Sequence, residues 1–277
     1  MTSWRVVIAT PTMPFLPYQT QQEHQIQALV DTALAHDAMV TLIAPCTRTA
    51  VERAGHLRIR SKFLLRPIVP TTDPMHREVI TTWIESVASG ASRFLLSHPW
   101  FDLLDSDQMP TTDAPPNLAT AWSLWTSAFF SLISQLSYGI TVIHALGWQT
   151  SLVPAMARCI GGSVSSAVSV FSPGLQAPPE RLAPEVRTLL RLPREVPSAA
   201  TADTLFAWGL AYASAWDLSE QEYQSIATNP WLADLLERHR AECLLPQDPA
   251  SETLEHPALT LYAQVLAGAR SLASMVP

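Results

Sequence analysis

The chain has 277 residues, of which 48% are hydrophobic and 15% are charged, and its formal net charge at pH 7 is −7. This composition is typical of a globular protein with a well-buried core and excludes an intrinsically disordered chain. The acidic balance argues against nucleic acid and against an anionic membrane surface as partners.

Apolar runs and stretches of helical spacing alternate along the first half of the chain. Strands and helices that alternate in this way indicate βαβ units and predict an α/β fold with a mostly parallel sheet. In chain order, the predicted elements are a strand at 5–9, a helix at 22–36, strands at 39–44 and 63–69, a helix at 78–88, a strand at 93–97, a helix at 119–136, a strand at 140–145, a helix at 150–159 and a strand at 166–171.

The second half of the chain is less regular. Residues 172–197 are rich in proline, which predicts a surface excursion with one short helix at 184–190. Ser219 is a good N-cap for the next helix, and acidic residues follow it in the first turn of that helix. The remaining predicted elements are a helix at 204–211, a strand at 212–218 and helices at 219–227, 231–240 and 256–275.

Residues 114–157 contain no Asp, Glu, Lys or Arg, which raises the question of a membrane. A membrane-spanning helix needs about 20 predominantly apolar residues. This stretch is interrupted by Ser, Thr and Gln and is broken by Gly139 and Gly147. We therefore predict a buried helix followed by a buried strand, and no membrane partner.

The three cysteines are widely spaced and show no CxxC pattern or pairing with histidine. We expect reduced, buried thiols in a cytoplasmic protein rather than a disulfide framework or a zinc site. The apolar run at the N-terminus has no basic lead and no small-residue cleavage pattern, so it predicts a first strand rather than a signal peptide.

Residues 141–150, TVIHALGWQT, read as a buried strand that turns into a helix. In an open α/β sheet, ligands bind beyond the carboxyl ends of the strands, so a site is expected at this turn. The stretch resembles the segment V-x-H-x-H-D-W-Q/H-T/A-x-L-x-P of glycogen synthases and bacterial starch synthases. The matching residues are His144, Trp148, Gln149, Thr150, Leu152 and Pro154.

Four further segments are similar to segments of the same family, in the same order. They are residues 94–102 (FLLSHPWFD), 117–133, 206–223 and 232–251. The resemblance implies a Rossmann-like three-layer sandwich, as in the N-terminal domain of a GT-B glycosyltransferase. In that family the first domain binds the acceptor glucan, and a second domain binds most of the nucleotide sugar. We expect residues 1–277 to form one such first domain without the donor-binding domain, with a terminal helix at about 252–277 packing back on it.

The reactive residues of the family motif are replaced in this chain. The second histidine, which the family uses next to the reacting sugar, falls on Leu146, and the aspartate falls on Gly147. The family's first loop, K-T-G-G-L, corresponds to residues 15–23, which contain neither Lys nor Gly. Its H-N-x-x-Y-Q-G segment falls on residues 169–175, without His or Asn. No basic residue lies between Arg93 and Arg158, so the middle third also lacks a cation for a phosphate.

These losses predict that the chain alone has no glucosyltransferase activity, no catalytic residue and no cofactor or metal. A lone histidine at the end of a buried strand is usually a hydrogen-bonded core residue, although His144 could also face a ligand. Trp148 and Gln149 could contact a sugar, or could serve only to pack the helix start. The residues assigned to a vestigial acceptor cleft are His144, Trp148, Gln149, Thr150 and Tyr18.

The helix at 119–136 has lost the charges that the family carries there, which indicates that it is buried. Its candidate association surface consists of Trp122, Trp125, Phe129 and Phe130. The leading hypothesis is a catalytically inactive synthase-like subunit of α-glucan metabolism that associates with itself or with a synthase-family protein. The alternatives are a non-catalytic α-glucan-binding module and the acceptor-side half of a split glucosyltransferase.

Overall fold

The computed structural model describes residues 4–15, 18–54, 61–65, 80–86, 91–105, 118–136, 139–160, 164, 166–174, 205–228, 230, 233–234, 237, 243–244 and 262. Nine strands form one sheet within these residues. They are β1 (Arg5–Ala9), β2 (Met39–Pro45), β3 (Ser61–Leu65), β4 (Ile80–Ser86), β5 (Ser92–Ser97), β6 (Val142–Leu146), β7 (Val168–Ser172), β8 (Ala215–Asp217) and β9 (Cys243–Leu244).

The strand order is β3-β4-β5-β2-β1-β6-β7-β8-β9. The strands from β5 to β9 are joined by parallel pairings, whereas β3 and β4 extend one edge in antiparallel fashion. The chain places β2 beside β1, passes to the edge strand β3, returns inwards through β4 and β5, and then crosses to β6 on the other side of β1. This reversal between β1 and β6 is the switch point at which open α/β sheets bind their ligands.

The helices cover both faces of the sheet, so the predicted α/β, Rossmann-like three-layer sandwich is confirmed. They are α1 (Gln21–Ala35), α2 (Arg48–Ala54), α3 (Leu118–Gln135), α4 (Leu152–Cys159), α5 (Leu205–Tyr212) and α6 (Glu220–Ala227). Short 3₁₀ helices lie at Pro99–Asp105 and Trp148–Thr150. Among the described helices, none combines the length and apolar character that a membrane crossing requires.

Alternate residues of the parallel strands enter two separate cores. Val7 of β1 joins the core under α3, α4 and α5, whereas Val6 joins the core under α1 and α2. Successive side chains of a strand point to opposite faces, so an apolar run without alternation is what a doubly covered strand requires. This explains why the short apolar runs of the sequence were sufficient to predict these strands.

The helix predicted at 78–88 is wrong, because this segment contains strand β4. Ile80, Thr81 and Thr82 are β-branched, and β-branched residues favour the extended backbone. The apolar residues also fit a helical spacing, but β4 pairs with β3 on one side and β5 on the other. The backbone hydrogen bonds of these two pairings decide the structure.

Other predictions are corrected only at the ends of elements. Helix α5 continues through Tyr212, so the strand predicted at 212–218 is limited to Ala215–Asp217. Strand β3 begins two residues earlier than predicted, and residues 66–69 lie outside the described part of the chain. The helices predicted at 184–190, 231–240 and 256–275 also lie outside it, except for residues 233–234, 237 and 262.

Helix α5 packs directly on the sheet at Gly209. A Cβ atom added there would lie 2.5 Å from Cε1 of the Phe171 ring on β7. We expect Gly209→Ala to lower the free energy of unfolding by about 1–3 kcal/mol, because the ring or the helix must move. Urea denaturation measures this change.

The cost of Gly209→Ala is expected to shrink in a Phe171→Leu background, because the branched aliphatic side chain leaves more room below the helix. Equal costs in the two backgrounds would show that the ring is not what makes this position glycine-specific.

Candidate functional site

A cleft of about 300 Å³ opens where β6, β7 and β8 end and α1 begins. It lies at the carboxyl edge of the sheet, close to the switch point between β1 and β6. Its polar lining comes from both sides of this opening: Gln22 and Gln25 of α1, Ser172 and Asp217 at the strand ends, and Ser219 and Glu222 at the start of α6. Ile26, Leu29 and Leu146 supply its apolar part.

The cleft is acidic. Asp217 and Glu222 are the ionisable side chains of its lining, and no basic side chain lines it within the part of the chain that the structure describes. A charged phosphate placed here would face carboxylates without a compensating cation. Hydroxyl groups, by contrast, can donate to carboxylates and can both donate to and accept from the amides of Gln22 and Gln25.

The turn after β6 shapes one wall of the cleft through Gly147. Its φ of 81° and ψ of 150° are accessible almost only to glycine. Its N–H donates to the backbone carbonyl of Ser172 over 2.7 Å, which ties the turn to β7. Thr150 Oγ1 donates to the carbonyls of Leu146 and Gly147, so the short 3₁₀ helix is fixed to the end of β6.

A chain of four side chains runs under the cleft from the core to its surface. The Tyr262 hydroxyl contacts His144 Nδ1, and His144 Nε2 lies 2.7 Å from Ser172 Oγ. Ser172 Oγ donates to Asp217 Oδ2 over 3.0 Å. His144 and Tyr262 are fully buried, whereas Ser172 and Asp217 reach the cleft. Residues from β6, β7 and β8 are thereby linked across the sheet.

The direction of each hydrogen bond follows from the one proton on Ser172 Oγ. Because that proton goes to the Asp217 carboxylate, Ser172 can only accept from His144. His144 therefore carries its proton on Nε2, and its Nδ1 accepts from the Tyr262 hydroxyl. Burial, helped by the nearby negative charge of Asp217, holds the pKa of Tyr262 well above its ordinary value. Tyr262 is therefore neutral and able to donate.

This order of bonds differs from that of a nucleophilic triad. In a triad, the serine donates to a histidine that takes its proton, and the carboxylate holds the other ring nitrogen. Here the histidine donates to the serine, and its other nitrogen faces Tyr262. The arrangement fixes the orientation of Asp217 at the cleft and does not activate Ser172.

The loop after β1 is held by two arginines from other elements. Arg53 of α2 forms an ion pair with Glu23, and its Nη2 donates to the carbonyl of Phe15 over 2.9 Å. Arg93 of β5 donates to the carbonyl of Pro14 over 3.2 Å and to Gln27 Oε1 over 2.9 Å. Both guanidinium groups thus bond to this loop and to side chains of α1, and neither lines the cleft.

Glu23 connects Arg53 to the start of α1. Its carboxylate accepts from the N–H groups of Gln19 and Thr20, and Thr20 Oγ1 accepts from the Glu23 N–H, which forms a capping box. Burial alone would raise the pKa of Glu23. The hydrogen bonds from Arg53 and from the two backbone N–H groups, with the Arg53 charge, outweigh burial and lower it.

None of the five predicted cleft residues is part of the cleft lining. His144 lies under the cleft and reaches it through Ser172. Trp148 packs against the core on the α3 side, and Thr150 is buried within the turn. The Gln149 side chain approaches Gly147, and Tyr18 packs edge-on against His24 with ring centroids 4.9 Å apart. Their role in ligand binding stays a prediction.

The aromatic residues of α3 lie inside the chain. Trp122, Trp125, Phe129 and Phe130 are at most 2% exposed and belong to the core between α3 and the sheet. The expected burial of this charge-free helix is thus confirmed, and the chain's own elements supply the cover. These four residues offer a partner almost no accessible area.

Sequence reasoning missed Ser172, Asp217 and Tyr262. Ser172 and Asp217 are the last residues of their strands, so a search for polar residues at the carboxyl ends of parallel strands could have found them. Tyr262 is separated from His144 by 118 residues and carried no local signal. No cluster of three or more His, Cys, Asp or Glu side chains suited to a metal ion occurs in the described part of the chain.

Comparison with protein-family models and with curated proteins gives no match. Among solved structures, the catalytic domain of starch synthase IV from Arabidopsis thaliana, bound to ADP and acarbose, is similar with a TM-score of 0.64 and 14% identity. The similarity covers 88% of this chain and 51% of that one. This chain therefore spans about half the length of that domain.

Two further structures are similar at lower scores. Sucrose-phosphate synthase from Thermosynechococcus elongatus gives a TM-score of 0.45 at 11% identity, covering 87% of this chain and 47% of that one. The α,α-trehalose 6-phosphate synthase from Burkholderia multivorans gives 0.40 at 8% identity, covering 86% and 43%. The structural neighbours are GT-B glycosyltransferases. The likeness to the starch synthase domain, at 14% identity, supports the fold alone, and membership of the glycogen and starch synthase family stays a prediction.

Gly147 gives a direct test of the cleft wall. A Cβ atom there would lie 2.7 Å from Gln149 Oε1 and 3.3 Å from Pro11 Cγ, on a backbone that alanine avoids. We expect Gly147→Ala to lower the free energy of unfolding by about 1–3 kcal/mol in urea denaturation. Gly139→Ala is the control, because a Cβ atom there meets nothing within 4 Å. Equal effects of the two changes would contradict the backbone argument.

The lowered pKa of Glu23 predicts how stability depends on pH. The ionised form is favoured by folding, so its contribution is complete above the ordinary carboxyl pKa of 4.5 and is lost as the pH falls through the lowered value. We expect Glu23→Gln to cost about 1.5–3 kcal/mol at pH 7 and to weaken the acid dependence of the unfolding free energy.

The matched control is Glu52→Gln, an exposed carboxylate beside Arg53 on α2 without an ion pair in the described residues. Its urea denaturation curves between pH 7 and pH 3 are expected to follow those of the unmodified chain. If both variants lost the same stability over this range, the buried Arg53 pair would not be the origin of the effect.

Proposed function

We propose that this chain is a catalytically inactive glycogen/starch synthase-like subunit of α-glucan metabolism whose cleft binds the glucan acceptor without transferring glucose to it. The observation that carries the proposal is the cleft wall formed by Leu146 and Gly147. These are the two positions at which the resemblance predicts the second histidine and the aspartate. An isobutyl group and a hydrogen atom can neither transfer a proton nor stabilise a charged sugar.

The surroundings of the cleft support inactivity toward a nucleotide sugar. Transfer of glucose requires positive charge or N–H donors for the departing diphosphate. The loop after β1, which would approach the donor in the family, turns two of its carbonyls toward Arg53 and Arg93. The carboxylates of Asp217 and Glu222 would repel a diphosphate in the cleft.

The same lining suits a neutral sugar. The carboxylate of Asp217 is held by Ser172 and can accept from a sugar hydroxyl, while Gln22 and Gln25 can donate and accept on the opposite side. Ile26 and Leu29 offer apolar area to the C–H groups of a sugar ring. Ligand sites commonly combine apolar lining with a few polar groups, and a volume of about 300 Å³ lies at the lower end of their range.

Association with itself or with a synthase-family protein is the second part of the proposal. The aromatic residues of α3 are buried and so do not favour association. Among the described residues, the large apolar side chains that are exposed are only Met39 and Val51. Glucan binding is therefore placed first, and the acceptor-side half of a split transferase stays an alternative. Light scattering over a range of concentrations tests self-association, and a strict monomer throughout would reject it.

Affinity electrophoresis in gels containing glycogen tests the proposed function. We expect the chain to be retarded, and we expect Asp217→Asn to weaken glycogen binding about tenfold or more, because a hydrogen bond to a charged group is lost. Glu220→Gln is the control, since it neutralises an exposed carboxylate of α6 that does not line the cleft.

An activity measurement completes this test. Neither ADP-glucose nor UDP-glucose is expected to be turned over in the presence of glycogen, because the cleft lacks the reactive groups. Unchanged mobility of the unmodified chain in glycogen would reject glucan binding, and glucose transfer by the chain alone would reject inactivity. Transfer that appears only on mixing with a synthase-family protein would favour the split enzyme.

A further inference from the structure

Tyr262 lies far from the cleft in sequence but is part of its support. Its side chain is fully buried in the core on the α1 side of the sheet, together with Val142, Val168 and Val170. Its ring packs edge-on against His144, with centroids 5.6 Å apart and an interplanar angle of 84°. Its hydroxyl meets His144 Nδ1, so one residue near the end of the chain reaches the hydrogen-bond chain under the cleft.

The hydroxyl of Tyr262 stabilises the same tautomer of His144 that the Asp217 carboxylate favours through Ser172. A neutral histidine carries its proton on either Nδ1 or Nε2, and a donor that faces Nδ1 favours the Nε2 form. In that form, Nε2–H points to Ser172 Oγ, and the only proton of Ser172 is left for Asp217. All three bonds then run in one direction, from the buried hydroxyl to the carboxylate at the cleft.

Loss of the Tyr262 hydroxyl would weaken the preference of His144 for the Nε2–H tautomer. Without a donor at Nδ1, the Nδ1–H form becomes accessible, and Nε2 then becomes an acceptor. His144 and Asp217 would compete for the single proton of Ser172, so the bond that now orients the Asp217 carboxylate would form only part of the time. The cleft would keep its shape and lose the fixed position of its main acceptor.

We propose that Tyr262 is a positioning residue of the cleft, which acts through His144 and Ser172 to orient the Asp217 carboxylate toward a hydroxyl of the bound ligand. The identity of that ligand as a glucan rests on the proposed function, whereas the tautomer of His144 does not. The inference therefore has one test that needs no ligand and one that does.

The first test is the ¹⁵N spectrum of the histidine side chains, with the His144 signals assigned from their loss in His144→Gln. The unmodified chain is expected to show the Nε2–H tautomer of His144. In Tyr262→Phe, the Nδ1–H form is expected to appear beside it. An Nδ1–H tautomer in the unmodified chain would overturn the inference without any variant, and so would an unchanged tautomer in Tyr262→Phe.

The second test is the affinity for glycogen. We expect Tyr262→Phe to weaken binding about fivefold to tenfold, in line with a net hydrogen-bond contribution of about 1 kcal/mol. Ser172→Ala interrupts the same chain and is expected to weaken binding similarly. Because both variants act through one path, Tyr262→Phe should cause little further loss in the Ser172→Ala background. Independent, additive losses would show that Tyr262 acts only through general stability.

Tyr223→Phe is the matched control. It removes the same atom from a half-buried tyrosine of α6 whose hydroxyl forms no hydrogen bond within the described residues, so neither the tautomer nor the affinity should change. Circular dichroism establishes that each variant is folded, and Ser172→Ala carries the affinity test should Tyr262→Phe fail to fold. A shift of the tautomer or of glycogen binding in Tyr223→Phe would overturn the assignment to Tyr262.

The two proposals fail in distinguishable ways. If the unmodified chain does not bind glycogen but shows the Nε2–H tautomer and its change in Tyr262→Phe, the proposed function fails and the positioning role of Tyr262 stands. If glycogen binds equally tightly to the unmodified chain and to Tyr262→Phe, the positioning role fails and the glucan site stands.

Discussion

The parallel strands at the centre of the sheet are buried on both faces, and this burial constrains every polar side chain that they carry. A polar group inside the core is costly unless it forms hydrogen bonds within the protein. His144 sits on such a strand with no exposed area. Its ring needs a partner at each nitrogen, and Tyr262 and Ser172 supply them. The hydrogen-bond chain from the core to the cleft therefore serves first to provide partners for the buried His144 ring.

This constraint gives the site its polarity. Ser172 and Asp217 end neighbouring strands, so satisfying His144 at the sheet also fixes an acceptor at the carboxyl edge. Arg53 and Arg93 donate hydrogen bonds to backbone carbonyls of the loop after β1, so neither cation faces the cleft. The two arginines therefore stabilise the loop, and the charged side chains at the cleft are carboxylates. A site with this balance suits uncharged hydroxyl groups better than phosphates.

The sequence was sufficient for the parts of the fold in which local pattern and global structure agree. The runs of β1, β2, β6 and β7 are mostly apolar because both faces are covered, and the motif around Trp148 falls at the turn beside the cleft. The segment around Thr82 failed because its spacing fits a helix as well as a strand, and only its two antiparallel neighbours decide between them. Tyr262 could not be predicted, since its role comes from a contact made across 118 residues.

The presence of a histidine at position 144 has an explanation that does not require catalysis. An apolar residue of similar size would leave the Tyr262 hydroxyl without its acceptor in the core and would remove the donor that faces Ser172. Burying an unsatisfied hydroxyl costs about 1–3 kcal/mol, which is a large share of the stability of an ordinary domain. Leu146, two residues later, lines an open cleft, so its replacement leaves no buried polar group of this hydrogen-bond chain unpaired. The hydrogen-bond partners of His144 therefore account for its presence, whichever side chains line the cleft above it.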